Sequence, residues 1–376
     1  MFIAKLLQAL LKRGYRIIVV APSNGTYYGR KTTNGIEQVR FAYWYPKSFH
    51  RLTVGGGGIP ENMVRNPLAR LQLIPMMLSF VAVGLRELQK CDLIYANWLG
   101  AGIVGAILNR ITGKPLVVSF RGDDGYLAKD RPLWRFFTQW VVARAGAVAP
   151  VSAELLEILK NLGLPPEKSY LPRFGVDTDM FHPRSSTVRA ACEQVRVLFV
   201  GSLIDRKGLH DLIEALADPV FRQVKLLIVG EGPNAASLKE LCHKVGIAEQ
   251  TEWHGSVPPE KVARLMQEAD ILCLPSYMEG RPNVVNEAMA SGLPVVASRV
   301  GGIPDMVREH ETALLHDAGD ILQLRACLKR LVLDKALRQR MGVAGRSLLL
   351  DSGVSWDTTA EDFDRLFLSL LRRGTS

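Results

Sequence analysis

The chain has 376 residues, a net charge of +10, and 48% hydrophobic against 22% charged residues. That length predicts two domains, and that balance is the one of a soluble globular protein, which sets aside the membrane-embedded classes. The cysteines (Cys91, Cys192, Cys242, Cys273 and Cys327) are odd in number, scattered and without a C-x-x-C pair, so they read as reduced core residues of a cytosolic protein and not as a disulfide framework.

Taken in chain order, residues 2–14 place apolar side chains at amphipathic-helix spacing, with Lys5, Lys12 and Arg13 inside and after them. This is not the layout of a signal peptide. Arg16 to Pro22 predicts a buried strand. Leu71 to Leu85, the longest apolar run, contains Gln72, Pro75 and Ser79; it is short for a bilayer and predicts a buried or interfacial helix. Further strands are predicted at Asp92–Ala96, Pro115–Phe120 and Ala147–Val151, with a helix from Gly102 to Ile111. Ser152 caps another helix, over Ala153 to Leu162. This βαβ rhythm predicts a parallel, doubly wound sheet.

A loop-rich stretch at 173–196 places a domain boundary near 183–194. The rhythm then restarts with strands at Arg196–Gly201, Lys225–Gly230, Thr251–His254, Ile271–Leu274 and Pro294–Ser298, a second Rossmann-like domain that ends in helices from Asp320 to Leu350. An amphipathic helix from Ser355 to Leu371 closes the chain. Residues 1–185 hold 24 Lys and Arg against 12 Asp and Glu, and the remainder holds 23 against 25. The basic half suits an anionic membrane or an anionic substrate. No nucleic-acid module pattern accompanies it.

The chemistry concentrates in Tyr277-Met278-Glu279-Gly280-Arg281-Pro282-Asn283-Val284-Val285-Asn286-Glu287. Pro282 suits a first helical turn, Val284 to Ala290 predicts helix, and Gly292-Leu293-Pro294 ends it. Glu279 then lies on a loop and Glu287 on a helix, with free backbone N–H groups between them. A helix start attracts phosphate, and carboxylates accept from sugar hydroxyls. Both in one site predict binding of a sugar joined to a phosphate.

Together with the Gly292-Leu293-Pro294 exit and the Gly301-Gly302-Ile303-Pro304-Asp305 turn, this string resembles the E-x7-E signature of retaining glycosyltransferases with the GT-B fold, closest to glycosyltransferase family 4. The resemblance implies two Rossmann-like domains facing across a cleft. Residues 1–183 plus the helix at 355–376 form the acceptor side, and residues 184–354 bind the nucleotide sugar. Gly201-Ser202-Leu203-Ile204-Asp205-Arg206-Lys207-Gly208 resembles the family's phosphate-binding G-R-L-x-x-x-K-G, with Ser202 in place of arginine. Lys207, helped by Arg206, would neutralise a leaving diphosphate. Glu287 resembles the residue that takes the ribose hydroxyls, and Glu279 the one near the transferred sugar. Gly280, Arg281, Pro282, Asn283 and Val284 offer loop and helix-start groups. Gly201, Gly230, His254 and Gly255 stand where the family packs the nucleotide, and Asp305 with the Gly301-Gly302 turn closes the pocket.

On the acceptor side, Ser119-Phe120-Arg121-Gly122-Asp123-Asp124 resembles T-x-H-G-x-D, with Arg121 replacing histidine. Arg121 is always charged and a poor general base. Asp124 matches the acidic position, expected to be catalytic, and Asp123 is a second candidate; either also suits a helix N-cap. Tyr95-Ala96-Asn97-Trp98 resembles H-A-H-W, with Asn97 replacing the second histidine. The resembled fold starts with a strand and glycine-rich loop ahead of the first helix. Here the helix starts at once, so the first domain is expected to lack its first strand, through truncation or a start assigned too late. Gly55-Gly56-Gly57-Gly58 is expected to be a mobile acceptor-side loop.

The expected activity is metal-independent transfer, with retention, of a hexose from a UDP- or GDP-linked donor to a saccharide or lipid-linked acceptor in polysaccharide or glycolipid synthesis. No cofactor is expected, and no metal site. Asp177-Thr178-Asp179 lies in an interdomain segment, and no His, Cys and carboxylate cluster has ligand spacing. The expected location is cytoplasmic, with peripheral contact at the inner face of an anionic membrane. The alternatives are a nucleotide-sugar epimerase or a sugar phosphorylase of the same fold, or a non-catalytic nucleotide-sugar-binding subunit.

Overall fold

The computed structural model describes residues 2–54, 59, 62–63, 66–184 and 194–373. Gly55–Gly58, Cys192 and most of the expected boundary at 183–194 lie outside the described residues. The chain forms two compact units: Met1–Pro150 with Leu156–Pro172 and Thr359–Ser376, and Val151–Leu155 with Arg173–Thr358.

The first unit opens with α1 (Phe2–Lys12), whose Leu6, Ala9 and Leu10 are buried on one face. It continues with β1 (Ile18–Pro22), β2 (Gly29–Thr33) and β3 (Ile36–Phe41). β2 and β3 form a hairpin that the sequence reading omitted. Its turn is Asn34-Gly35, both at positive φ (50° and 78°), the pairing that matches the twist of the flanking strands. A 3₁₀ turn over Pro67–Gln72 leads into α2 (Leu73–Leu88), so the helical stretch is 22 residues, longer than the apolar run suggested, and long and apolar enough to cross a membrane by length and composition. Then come β4 (Ile94–Asn97), α3 (Trp98–Thr112), β5 (Leu116–Ser119), α4 (Asp123–Asp130), α5 (Pro132–Arg144), β6 (Ala147–Val148) and α6 (Ala153–Asn161), whose first three residues belong to the second unit. Ser152 caps α6, its Oγ accepting from Leu155 N at 3.3 Å.

The strands of this unit fall into two three-stranded sheets, β1-β3-β2 and β4-β5-β6. Among the described residues, the outer edges of β1 and β4 pair with no further strand. β4, β5 and β6 are parallel in register, and β5 is buried throughout, as strands covered on both faces are.

The second unit contains β7 (Arg196–Val200), α7 (Leu209–Leu216), β8 (Lys225–Val229), α8 (Ala235–Lys244), β9 (Thr251–Gly255), α9 (Pro259–Glu268), β10 (Ile271–Leu274), α10 (Asn283–Ala290), β11 (Val295–Ser298), β12 (Ala313–His316), α11 (Ile321–Leu333) and α12 (Lys335–Asp351). Its six strands are all parallel, in the order β12-β11-β10-β7-β8-β9. Phe199, Leu198, Leu272 and Val296 are fully buried in one continuous core. Burying each such side chain stabilises by roughly 1.5–3 kcal/mol. The order reverses between β7 and β10. In a doubly wound sheet ligands bind outside the carboxyl ends of the strands at such a point.

Segment 173–183, assigned to the first domain from sequence, packs with the second unit. Phe181 and Val176 join its core, and Asn286 Nδ2 donates to Phe174 O at 3.3 Å. The last helix, α13 (Trp356–Arg373), carries Phe363 and Phe367 against Tyr95 of β4, and Phe367 also meets Tyr15 edge-on. Tyr15 Oη donates to Asp364 Oδ1 at 2.5 Å.

Candidate functional site

At the switch point of the second unit, the loop after β7 and the loop after β10 are zipped together by backbone. Tyr277 N donates to Arg206 O at 2.8 Å. Gly208 sits at φ 64°, and a Cβ there would lie 1.9 Å from Pro275 O, so only glycine permits this approach. The consequence is chemical. Lys207 Nζ reaches Glu279 Oε1 at 2.5 Å, and Ser276 Oγ donates to the same oxygen at 2.7 Å. Both partners of the ion pair are largely withdrawn from water, Glu279 being 8% exposed. A lysine has three N–H donors, so this contact leaves capacity for an anion.

Pro282 occupies the cap position immediately before α10 rather than its first turn, and its side chain offers no cap hydrogen bond. The first N–H groups of α10 therefore stand free of a side-chain cap next to Asn283 and Val284, a geometry that favours anions. Arg281 enters this turn with its guanidinium largely buried. Burial lowers its pKa, and among the described residues its Nε has no hydrogen-bond partner. Gly302 N donates to Gly280 O at 2.8 Å, which lays the Gly301-Gly302 turn against the Glu279–Arg281 loop. Asp305 Oδ2 accepts from Ala153 N at 2.9 Å and offsets some of the burial cost of Arg281. Glu287, one turn into α10, is partly buried, and desolvation pushes its carboxyl up to about 7.

The loops after β7, β8 and β9 adjoin through backbone as well. Gly230 N donates to Gly255 O at 2.9 Å, and Leu203 N to Glu231 O at 2.9 Å. Gly230 is held at φ 142° with its α-carbon so close to the β7 loop that a Cβ would fall 1.8 Å from Gly201 O. Ser202 points to solvent and supplies no cation. His254 is the penultimate residue of β9, with Nε2 3.9 Å from Glu252 Oε2.

The first unit gathers its own polar cluster at the ends of β4 and β5. Arg121 donates from Nε and Nη2 to Asn97 Oδ1 at 3.0 and 2.7 Å, and from Nη2 to Tyr95 Oη at 3.2 Å. Burial lowers the Arg121 pKa without threatening its charge. Asp124, expected among the catalytic groups, is buried with its carboxylate committed to backbone. Oδ2 accepts from Leu99 N at 2.9 Å, and Oδ1 from Arg121 N and Gly122 N at 3.2 Å each. Desolvation pushes its pKa up to about 6. Asp123 opens α4. The brace at Asp124 holds Trp98 at φ 66°, a conformation that costs a non-glycine residue about 1–3 kcal/mol.

The family model described as "Glycosyl transferases group 1" matches residues 188–348, and that described as "Glycosyl transferase 4-like domain" matches residues 1–173. D-inositol 3-phosphate glycosyltransferase of Corynebacterium efficiens is 30% identical over 345 residues, which is 81% of this chain and 79% of that protein. The chain is a GT-B glycosyltransferase of family 4. Its fold agrees with that of sucrose-phosphate synthase from Thermosynechococcus elongatus, at a TM-score of 0.83 and 21% identity, covering 99% of this chain and 93% of that one. Anabaena HepE, solved with UDP-glucose, matches at a TM-score of 0.70 and 19% identity over 94% of this chain and 99% of that one.

In this glycosyltransferase, the second unit brings Arg206, Lys207, Glu279, Gly280, Arg281, Pro282 and Asn283 to one end of the sheet, with Gly201, Gly230 and Gly255 on the neighbouring strand tips. Asn97 and Arg121 meet in the first unit. Two residues escaped the reading of site residues. Ser276 is a fully buried serine at a strand end, with no local sequence signal for its bond to Glu279. Trp98 stood in a quoted motif, but its positive φ and its exposure are legible only in three dimensions. Asp177 Oδ1 accepts from Met180 N at 3.1 Å as a turn cap. Among the described residues, no group of three or more His, Cys, Asp or Glu is placed to hold a metal ion.

Proposed function

We propose that this glycosyltransferase moves a hexose, with retention and without a metal ion, from a nucleotide-diphosphate sugar to a saccharide or lipid-linked acceptor. The observation that carries the reading is the Lys207–Glu279 contact at the switch point of the second unit. A cation suited to a diphosphate and a carboxylate suited to sugar hydroxyls stand within one bond of each other. Breaking the sugar–phosphate bond leaves positive charge on the ring and adds negative charge to the departing diphosphate. Lys207, Arg206, Arg281 and the uncapped start of α10 stabilise the latter. Glu279 accepts from hydroxyls of the transferred sugar and orients Lys207. Glu287 accepts from the ribose.

Glu279 is already bonded to Lys207 and Ser276, which disfavours a second role as covalent nucleophile. Same-face attack, with the leaving diphosphate taking the acceptor proton, is the route consistent with that geometry. Cationic side chains supply the charge neutralisation that a metal would otherwise provide. A uridine donor is favoured by the structural likeness to Anabaena HepE, which was solved with UDP-glucose. Asn97, Arg121 and Asp123 belong to the acceptor side, with Asp124 acting through the backbone it braces. The enzyme works in the cytoplasm at the inner face of a membrane, in polysaccharide or glycolipid synthesis.

The test is a thermal-shift panel of UDP- and GDP-sugars, followed by transfer of the labelled stabilising donor to a lipid extract in the presence and absence of a chelator. The product is read by NMR for anomeric configuration. A stabilising donor raises the melting temperature by mass action. An inverted product, or activity abolished by chelation and restored by metal, overturns the corresponding part of the reading.

A further inference from the structure

The first unit exposes leucines where an amphipathic helix should be polar. Along the 3₁₀ turn and α2, Leu68, Leu71, Ile74 and Leu78 are 69%, 65%, 70% and 66% exposed. Positions 71, 74 and 78 recur at helical spacing, so they form one outward stripe. The opposite face is committed to protein. Ala69 and Met76 are buried with Phe41, Tyr43 and Leu52, and at Gly84 a Cβ would lie 2.7 Å from Leu108 Cδ1. A helix held along one side in this way lies on a surface and does not span a bilayer.

A neighbouring loop extends the stripe. Gln72 Nε2 donates to Phe49 O at 2.7 Å, and Arg51 N donates to Gln72 Oε1 at 3.0 Å, so the 49–51 loop is stapled beside Leu71. That loop exposes Phe49 at 55% and carries Arg51, whose guanidinium lies 5.7 Å over the Phe49 ring, and the turn leading into it carries Lys47. Arg70 stands exposed on the same turn. From Arg40 to Arg86 the sequence holds six Lys and Arg and a single acid, Glu61. Exposed apolar side chains ringed by cations of one sign match the two layers of an anionic bilayer surface, acyl chains beneath phosphate headgroups.

We infer that Leu68, Leu71, Ile74, Leu78 and Phe49, with Lys47, Arg51 and Arg70 around them, form a membrane-docking face for anionic lipid. This deepens the membrane-surface part of the proposed function and is independent of the donor chemistry, so the assay omits both donor and acceptor. The full chain is sedimented with vesicles of phosphatidylcholine alone and of phosphatidylcholine mixed with phosphatidylglycerol. Partition is expected only with the anionic vesicles, and added salt should weaken it.

The variant L68S/L71S/I74S/L78S is expected to lose more than about tenfold in partition. K47E/R70E should lose binding to anionic vesicles as well. The serine variant changes only side chains that already face outward, and an unchanged circular dichroism spectrum and melting temperature show it folded. Equal binding to neutral vesicles, or full binding by the serine variant, overturns the inference. So does a wild-type chain that ignores vesicles yet dimerises where the serine variant is monomeric, which would make the stripe a contact between copies. Loss of transfer with vesicle binding intact would count against the donor reading alone.

Discussion

Lys207 and Glu279 stand 72 residues apart in sequence and 2.5 Å apart in space, and neither would meet the other without the adjacency of β7 and β10. The pair is withdrawn from solvent and anchored by Ser276, so the ammonium is aimed before any ligand arrives. Preorganised charge of this kind costs no reorientation during reaction.

Lys207→Ala is therefore expected to lower kcat by about a hundredfold or more, equivalent to about 3 kcal/mol of transition-state stabilisation. Glu279→Gln should also lower kcat, because the lysine loses its charged anchor, while nucleotide affinity falls much less. Steady-state transfer kinetics paired with nucleotide titration separate the two effects. An unchanged kcat in Lys207→Ala would place the leaving group elsewhere.

Glu287 is expected to make donor affinity depend on pH. Burial raises its carboxyl from an ordinary 4.5 to about 7. The folded chain thus keeps a proton that the unfolded chain has released. This group's contribution to stability is present below about 4.5 and is lost as pH rises through 7. In the proposed ribose contact the ionised carboxylate is the stronger acceptor, so nucleotide binding is expected to strengthen across the same interval. At pH 6 about one-tenth of the carboxyl is ionised, and affinity should be about tenfold below that at pH 8. Isothermal titration at the two pH values measures this, and Glu287→Gln should flatten the profile.

Gly230 is required by packing, whether or not a ligand is bound. An alanine there would place Cβ against Gly201 O at a backbone angle that L residues rarely adopt. Gly230→Ala is expected to destabilise the second unit by roughly 3 kcal/mol. Denaturant unfolding should show this in the absence of nucleotide. Wild-type stability with lost nucleotide binding would instead assign the glycine to the ligand.

Asp124 braces the turn that carries Arg121 and the start of α3. Asparagine at this position offers one carbonyl oxygen where two carboxylate oxygens accept from three backbone N–H groups. Asp124→Asn is expected to cost about 2 kcal/mol of stability and to reduce transfer, with nucleotide affinity retained. Urea unfolding together with nucleotide titration checks the prediction. Unaltered stability with lost transfer would return Asp124 to direct chemistry.

Much of this molecule is legible from local pattern. Runs such as Val197-Leu198-Phe199 predict buried parallel strands because both faces of the sheet are covered. The Glu279-to-Glu287 string predicts its own loop and helix because Pro282 and Gly292 punctuate it. The β2–β3 hairpin was missed although Asn34-Gly35 signals it. β12 was missed because Ala-Leu-Leu-His is four residues long and suits a helix equally. The cap position of Pro282 differs by one residue from the expected first turn, a shift that local pattern does not resolve.

The alternation of strands and helices in both units was readable along the chain because it follows from short-range spacing, and the Glu279-to-Glu287 string carried the resemblance to the family. The fold alone shows that Lys207 meets Glu279, that Asp124 serves backbone N–H groups, that Glu287 is desolvated, and that Leu68, Leu71, Ile74 and Leu78 face outward. Strand order and burial are collective properties. They arise from contacts between segments far apart in the chain, and an apolar run reads the same whether its leucines end in a core or at a surface.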